Sequence, residues 1–243
     1  MKDQLTTLVP EHIKARFERS HQSDPRPIRI AAGTLDDYDK LARLHYRAAT
    51  PATIERVFAA IDDTTGELAG VMLTSRPTLN GSWRRLAFPG RFDLGTKSEQ
   101  ARRLNAELRT ISRVVIDPRY RGIGLARRLV RQYLDAPDTV CTEAIAAMGP
   151  VCPFLERAGM TPYPLTDQAR DVRLRTRLDE LELSVDDLLR PIDEECELEI
   201  ALRIWSRKSA ATRHLDAGPI ETIARAVACA LIAPPTAYAH TVL

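Results

Sequence analysis

Residues 111–130 of the chain read ISRVVIDPRYRGIGLARRLV, in which an apolar segment, a glycine loop and an amphipathic segment follow one another. The run ISRVVID is rich in β-branched residues, which is typical of a buried strand. After Asp117-Pro118, Gly122 and Gly124 precede an apolar and basic segment that predicts a helix from Leu125 to Leu134. The order predicts a tight connection between a strand and the start of a helix.

The start of such a helix can bind an anion. Its first backbone N–H groups have no partner within the helix, and the helix dipole adds partial positive charge there. Gly122, Gly124 and the small Ala126 remove side chains that would keep an anion at a distance. We therefore expect a cradle of backbone amides for a phosphate, with added charge from Arg121 and from Arg127 or Arg128. A glycine loop that only connects two elements is the alternative.

Two motifs of nucleotide-binding proteins match this part of the chain except for one residue each. The dinucleotide motif GxGxxG requires a third glycine where this chain has Arg127. Residues 90–98, GRFDLGTKS, nearly spell the P-loop GxxxxGK[ST], but Thr96 separates the second glycine from Lys97. We therefore expect neither a dinucleotide fold nor nucleotide hydrolysis.

Residues 114–130, VVIDPRYRGIGLARRLV, resemble the acyl-CoA-binding motif of the GNAT superfamily of N-acyltransferases. The signature [RQ]-x-x-G-x-[GA] is matched by Arg121, Gly124 and Ala126, and PFLERAGM resembles the family's F-Y-E-K-x-G-F segment. The resemblance implies an α/β (α+β) fold over about residues 28–163, with a mixed central sheet and flanking helices. It also implies that the chain binds coenzyme A and transfers an acyl group, in the first place from acetyl-CoA, to an amine.

The resemblance assigns cofactor contacts to this chain. In it, the fourth and fifth strands splay apart and the backbone of the fourth strand meets the pantetheine arm, here at Val114, Val115 and Ile116. The pyrophosphate is held at the glycine loop and helix start, here by Arg121 and the amides of Gly122, Ile123, Gly124, Leu125 and Ala126.

The family's catalytic groups are matched less completely in this chain than its cofactor contacts. Many family members use the tyrosine of F-Y-E-K-x-G-F as an acid, but this chain has Leu155 there. Glu143, on a strand beside the cofactor, is our candidate for the general base, and His45 and Tyr46, at the end of the first helix, border the acceptor pocket in the resemblance. A solvated glutamate and a packed aromatic pair are the alternatives. Weaker candidates near the fourth strand are Glu107 and Ser112.

The His45-Tyr46 pair also looks like one in two GNAT branches. One is the acetyltransferase-like domain fused to ABC-type ATPases, and the other comprises phage adenine-modifying proteins. PFLERAGM and TEAIAAMGPVCPF resemble the first branch more closely. Because no intact P-loop occurs in this sequence, an ATPase partner would have to be a separate chain.

The charge distribution gives an alternative function. Residues 84–131 carry thirteen basic and four acidic side chains, a net +9, whereas residues 164–243 carry ten basic and fourteen acidic, a net −4. A local excess of this size suits an anionic ligand, which is either a phosphorylated cofactor or a nucleic acid. The alternative is therefore a nucleic-acid-associated protein that modifies a base, or docks on DNA or RNA, through residues 84–131.

The remaining parts of the sequence indicate the domain boundaries and argue against membrane, secreted and metal-binding proteins. Residues 1–27 predict a helical extension with a loop, and residues 164–243 predict a helical appendage with a loose tail. The absence of a long apolar run and of a signal peptide predicts a soluble, cytoplasmic protein. The cysteines and histidines show no spacing typical of a metal site, so we expect none.

Overall fold

The computed structural model describes residues 27–45, 50–147, 149, 151–165, 167–192, 196–209, 212–232 and 234–242 of the 243-residue chain. Contacts divide the chain into two compact units. Of the described residues, the first unit holds those up to Ile145, Pro153–Tyr163 and those from Ala237, and the second holds the remainder. The predicted N-terminal helix lies outside the described residues.

The first unit contains the seven described strands and five helices, in the chain order β1 Ile28–Ala32, α1 Leu35–Ala42, β2 Ile54–Asp62, β3 Leu68–Ser75, α2 Arg84–Ala87, α3 Lys97–Glu107, β4 Leu108–Ile116, α4 Leu125–Asp135, β5 Cys141–Ala146, α5 Phe154–Arg157, β6 Thr161–Tyr163 and β7 Thr236–Thr241. The α/β class predicted from the sequence is confirmed. The predicted strand in ISRVVID corresponds to the C-terminal part of β4, and the predicted helix behind the glycine loop is α4.

The strands form one mixed sheet in the order β1-β2-β3-β4-β5-β7-β6. The pairs β1–β2, β2–β3, β3–β4 and β6–β7 are antiparallel, whereas β4–β5 is parallel. A parallel pair needs a crossover connection, which α4 provides between β4 and β5. The glycine loop therefore lies at the carboxyl end of β4, where a crossover begins.

Helices cover both faces of this sheet. Tyr38 and Leu41 of α1 join a cluster with Leu73 and Val115, so α1 packs on the face that these two strand residues share. Tyr133 of α4 meets Phe58 of β2 edge to face, with ring centroids 5.6 Å apart. Phe58 alternates with Val57, which belongs to the α1 cluster, so α4 packs on the opposite face.

The C-terminal strand is the main difference from the sequence prediction. Residues 236–241, which we expected to be a loose tail, form β7 and lie between β5 and β6. Ala237, Tyr238 and Ala239 are buried, and Val242 donates a backbone hydrogen bond to the Val140 carbonyl at 2.9 Å. The run TAYAHT is short and only weakly alternating, so its pattern alone does not predict a strand. Its partners in the sheet also lie far from it in the sequence.

We expect a chain that ends at residue 235 to lose the cooperative unfolding of the first unit. Without β7, both β5 and β6 would lose a hydrogen-bonded neighbour, and the buried Tyr238 side chain would be removed. Losing a buried aromatic side chain alone costs about 3–5 kcal/mol. Circular dichroism melting should show this, with a chain ending at Val242 as the control. An unchanged melting temperature would show that β7 contributes nothing to the sheet's stability.

The second unit is helical, as the sequence predicts for most of residues 164–243. Its longer helices are α6 Ala169–Glu180, α7 Glu197–Arg207 and α8 Ile220–Ile232. Leu174, Leu202, Trp205 and Ile223 are among the buried residues of its core. The Trp205 indole N–H donates to the Asp171 carboxylate at 2.6 Å, which joins α7 to α6. No helix among the described residues of either unit is long and apolar enough to cross a bilayer.

Candidate active site

The sheet forks between β4 and β5. The last aligned pair of the parallel ladder is Ile111 with Ala144, yet β4 continues to Ile116 and β5 continues to Ala146. Beyond this pair, the β5-facing side of β4 carries backbone groups that β5 does not occupy. A fork of this kind opens a passage between the two faces of a sheet, with backbone donors and acceptors along one wall.

A bulge in β4 lies at the base of the fork. Thr74 pairs with Ile111 and Leu73 pairs with Arg113, so Ser112 is the extra residue on β4. Bulges bend a strand and re-aim its side chains, and they are common beside active sites. Val114, Val115 and Ile116 follow the bulge and pair with β3 on their other edge. The Asp117 amide donates to the Ala69 carbonyl of β3, so by alternation the backbone groups of Val115 also face β3, whereas those of Val114 and Ile116 face the fork.

The glycine loop joins this wall to α4. Gly122 and Gly124 have φ angles of 85° and 78°, in the left-handed region that glycine adopts without strain. Gly124 is the N-cap of α4, and its carbonyl accepts from the Arg128 amide at 3.1 Å. The amides of Leu125, Ala126 and Arg127 belong to the first turn, which has no carbonyl to satisfy them within the helix.

The start of α4 differs from the starts of α1 and α3. At α1, the Thr34 and Asp37 side chains form a capping box with the backbone, and at α3 Thr96 and Glu99 do the same. At α4 the N-cap is a glycine, and no side-chain hydrogen bond caps it. The amides of α4 are therefore left for water or for an anionic ligand. Thr96 is also the residue that interrupts the P-loop-like run in residues 90–98. Its side chain accepts a hydrogen bond from the Glu99 amide at the start of α3, so this amide is already hydrogen-bonded and is not left for a phosphate.

The arginines around the loop have different partners. Arg119 bridges Asp117 and Glu67 through ion pairs of 3.1 and 2.8 Å, and its side chain holds the pKa of the Asp117 carboxyl below its usual value. Arg128 donates to the Ile28 carbonyl at 2.7 Å. Arg121 donates through Nε to the Ile116 carbonyl at 3.0 Å while its side chain is exposed. Arg121 therefore lies where the fork wall meets the loop, which fits its predicted role.

Glu143 is buried and ion-paired rather than solvated. Its Oε2 accepts from Arg84 Nε and its Oε1 accepts from Arg84 Nη2, both at 2.7 Å, and Oε1 also accepts from the Thr110 hydroxyl at 2.7 Å. Arg84 and Glu143 are 5% and 2% exposed, and Arg84 Nη1 donates to the Thr78 carbonyl. Both oxygens of the predicted general base are therefore engaged. The sequence pattern did not identify Arg84 as this partner, although a glutamate is almost never fully buried unless it is paired.

Two serines extend this polar cluster toward the fork. Ser75 and Ser112 have hydroxyl oxygens 2.7 Å apart, and the Ser112 hydroxyl donates to the Leu73 carbonyl at 3.3 Å. Ser75 pairs with Thr110 across the β3–β4 ladder, and Thr110 pairs with Glu143 across the β4–β5 ladder. Alternation along β3 puts Ser75 on the same face as Leu73, which is the face that α1 covers. Glu143 and the two serines therefore share the α1 face.

The other predicted acceptor-side residues lie at the end of α1. The His45 amide donates to the Ala42 carbonyl at 3.0 Å, and the preceding Leu44 packs against the α1 cluster. His45 thus follows α1 on the sheet face that carries Glu143. Tyr46 lies outside the described residues. Leu155, in the place of the family's tyrosine, is 3% exposed and is a core residue of α5.

Tyr120 is a structural residue of the loop. Its ring is buried, and its hydroxyl donates to the Asp62 carboxylate at 3.0 Å. Burial raises the pKa of this hydroxyl above the usual tyrosine value. Tyr120 therefore ties the glycine loop to the end of β2 and holds the loop in place.

Several basic side chains of the segment 84–131 are paired with acidic ones. Arg84, Arg109 and Arg119 pair with Glu143, Glu55 and Glu67, all outside the segment, and Arg131 pairs with Asp135. Arg91 pairs with Glu107 at 2.6 Å. Acids outside the segment thus offset four of its nine net positive charges, and we do not propose docking of nucleic acid through residues 84–131. Among the described residues, no cluster of three potential metal ligands occurs either.

Comparison with solved structures gives partial matches to four chains. No protein-family model and no curated protein matches the chain. A mosquito arylalkylamine N-acetyltransferase like 5b matches 59% of this chain and 87% of its own, with 14% identity and a TM-score of 0.36. AtaT complexed with acetyl-methionyl-tRNAfMet matches 58% of this chain and 90% of its own, with 17% identity and a TM-score of 0.34. The function proposed below therefore rests on the geometry of the chain itself.

Proposed function

We propose that this chain is an acyl-CoA-dependent N-acyltransferase that uses acetyl-CoA. The observation that carries the proposal is the fork between β4 and β5, which opens next to the uncapped start of α4. An extended ligand with an anionic end and an amide-containing arm fits a site of this shape. Coenzyme A combines a pyrophosphate with such an arm, and the resemblance of residues 114–130 to the GNAT motif agrees with it.

The residues present fit each part of that ligand. The amides of residues 122–126, held by two left-handed glycines, suit the pyrophosphate, and Arg121 adds a positive charge beside it. Val114 turns its backbone N–H and C=O toward the fork, where they can meet the arm, whereas the backbone groups of Val115 face Val71 of β3. The carbonyl of Ile116 already accepts from Arg121, so this residue's remaining contribution is its N–H group and its side chain.

The proposed reaction needs proton transfers that this chain must arrange. The acceptor amine attacks the thioester carbonyl carbon, the carbon–sulfur bond breaks, the amine loses a proton and the thiolate gains one. We propose that His45 or Tyr46 takes the proton from the amine, because histidine and tyrosine side chains serve as acid–base groups in catalysis. Glu143, whose oxygens are engaged by Arg84 and Thr110, acts as a positioning residue for the cluster.

Ser112 is our proposed proton donor to the leaving thiolate. It lies in the bulge at the base of the fork, which is where the end of the arm would arrive. The Ser112 hydroxyl donates to the Leu73 carbonyl at 3.3 Å and would turn from it to give its proton to the sulfur, while Ser75 donates to the Ser112 oxygen at 2.7 Å and replaces that proton. Ser75 then regains a proton from water. Ser112 would thus replace the tyrosine that serves as the acid in many family members, since this chain has Leu155 at that position.

The test is transfer of a labelled acetyl group from acetyl-CoA to panels of small amines, peptides and nucleic acids. Once an acceptor is found, we expect Ser112→Ala and at least one of His45→Ala and Tyr46→Phe to lower turnover by about 10²–10⁴, since this is the usual contribution of acid–base catalysis. Affinity for coenzyme A should stay within about twofold. The exposed Ser98→Ala is the matched control. Near-native turnover in all three variants would overturn the assignment of these residues.

A further inference from the structure

A groove on the second unit lies between α6 and α7 and has a volume of about 390 Å³. Its floor is apolar and includes Leu174, Ala201 and Trp205. Ile200 and Ile204 of α7 line it and are 57% and 49% exposed. Because residues four apart lie on one helix face, these isoleucines form an apolar ridge along the groove. An apolar ridge beside an open groove is typical of an interaction site.

The groove is lined mainly by basic side chains, although residues 164–243, which form it, have a net negative charge. Residues 164–243 have a net charge of −4, yet the groove is lined by four basic side chains and one acidic one, a net +3. The basic residues are Arg170, Arg173, Arg177 and Lys208, and the acidic one is Glu197. Arg170 pairs with Asp171, and Arg177 pairs with Glu180 and Glu197, so Arg173 and Lys208 are the groove cations that form no ion pair with another described residue. The cations are thus concentrated at this groove within an otherwise acidic part of the chain.

We propose that this groove binds an acidic amphipathic helix of a partner protein. Apolar side chains of the partner helix would enter the groove between Ile200, Ile204 and the floor, while its carboxylates would pair with Arg173 and Lys208. Helices α6 and α7 have twelve and eleven residues, so each spans roughly 17 Å and matches about three turns of a bound helix. Recognition of an amphipathic helix in an apolar groove is a common mode of peptide binding.

The lining favours a helix over a nucleic acid, although both are acidic. Single-stranded nucleic acids stack their bases on exposed aromatic rings. The aromatic ring of this groove is that of Trp205, which is 2% exposed and has the Arg170 guanidinium 4.1 Å from its ring centroid. The exposed surface is instead branched aliphatic, which suits leucine or isoleucine side chains of a protein partner.

The test uses the full chain and two labelled peptides of about 16 residues, the length of a helix of roughly 24 Å. One peptide has a leucine face and glutamates elsewhere, and the other has lysines in place of the glutamates. We expect the acidic peptide to bind in fluorescence anisotropy and the basic one not to bind. The double variant Arg173→Glu/Lys208→Glu and the single variant Ile204→Ser should each weaken binding at least about tenfold.

Matched controls lie on α8, outside the groove lining. Arg225→Glu reverses an exposed arginine, and Ile232→Ser removes an isoleucine that is 44% exposed. Both should leave the affinity within about twofold. Absence of binding by the acidic peptide, or equal binding by the groove variants, overturns the proposal. Preferential binding of oligodeoxythymidine, or self-association of the chain that Ile204→Ser abolishes, would assign the groove to a nucleic acid or to a second copy instead.

Discussion

Gly124→Glu is expected to abolish binding of coenzyme A, with a loss of affinity of at least about 100-fold. Gly124 is the N-cap of α4, and it has no side chain that could cover the first amides of the helix. A glutamate there would place a carboxylate against the proposed pyrophosphate and would compete for the same amides. Isothermal titration calorimetry with coenzyme A measures the effect directly, without knowledge of the acceptor.

The control for this substitution separates charge from backbone strain. Glutamate is strained in the left-handed conformation, in which Gly124 has φ 78°. Gly90 has φ 68° with open space where a side chain would begin, so Gly90→Glu imposes a comparable strain away from the loop. Gly124→Asn, which tolerates this conformation, should bind more weakly than the wild type but better than Gly124→Glu. Native affinity in a folded Gly124→Glu chain would show that the loop does not hold the pyrophosphate.

The elements around the loop could be predicted because their signals are local. A run of β-branched residues, an Asp-Pro punctuation and two glycines lie within residues 111–124, and the structure forms β4, the loop and α4 from them. The capping residues Thr34 and Thr96 also lie next to the helices that they start. In each case the residues that determine the conformation are neighbours in sequence.

The features that the sequence analysis missed depend on distant partners. Strand β7 gains its stability from neighbours more than seventy residues earlier in the chain, and its own pattern is short. Ser112 became an important candidate only through the bulge opposite Leu73 and its contact with Ser75, 37 residues away. Single-sequence patterns carry no information on such pairings, because register is set by the packing of whole strands.

Arg84 illustrates the same limit at the level of charge. Within residues 84–131 it counts as one of thirteen basic side chains that suggest an anionic ligand. In the folded chain it is 5% exposed and binds Glu143, 59 residues away. A local charge count therefore overestimates the cationic surface wherever a basic residue has a buried partner from another segment.

The buried pair gives the second large expected effect. Arg84→Met or Glu143→Leu alone should lower the free energy of unfolding by about 3–5 kcal/mol, because each leaves an uncompensated buried charge. The double variant Arg84→Met/Glu143→Leu should regain most of this loss, since apolar residues of similar volume often replace a buried ion pair at little cost. Urea denaturation of the four chains of this cycle gives the coupling free energy directly.

The same cycle separates a positioning role of Glu143 from the role of a free general base. Arg131→Met, which breaks an ion pair whose side chains are 63% and 55% exposed, is the control and should cost less than about 1 kcal/mol. If Glu143 positions the cluster, Glu143→Gln should reduce stability and turnover together, and the double apolar variant should recover stability. If Glu143 were the base, Glu143→Gln would lose turnover at unchanged stability, and the hydrogen bonds from Arg84 and Thr110 would contribute little to the fold.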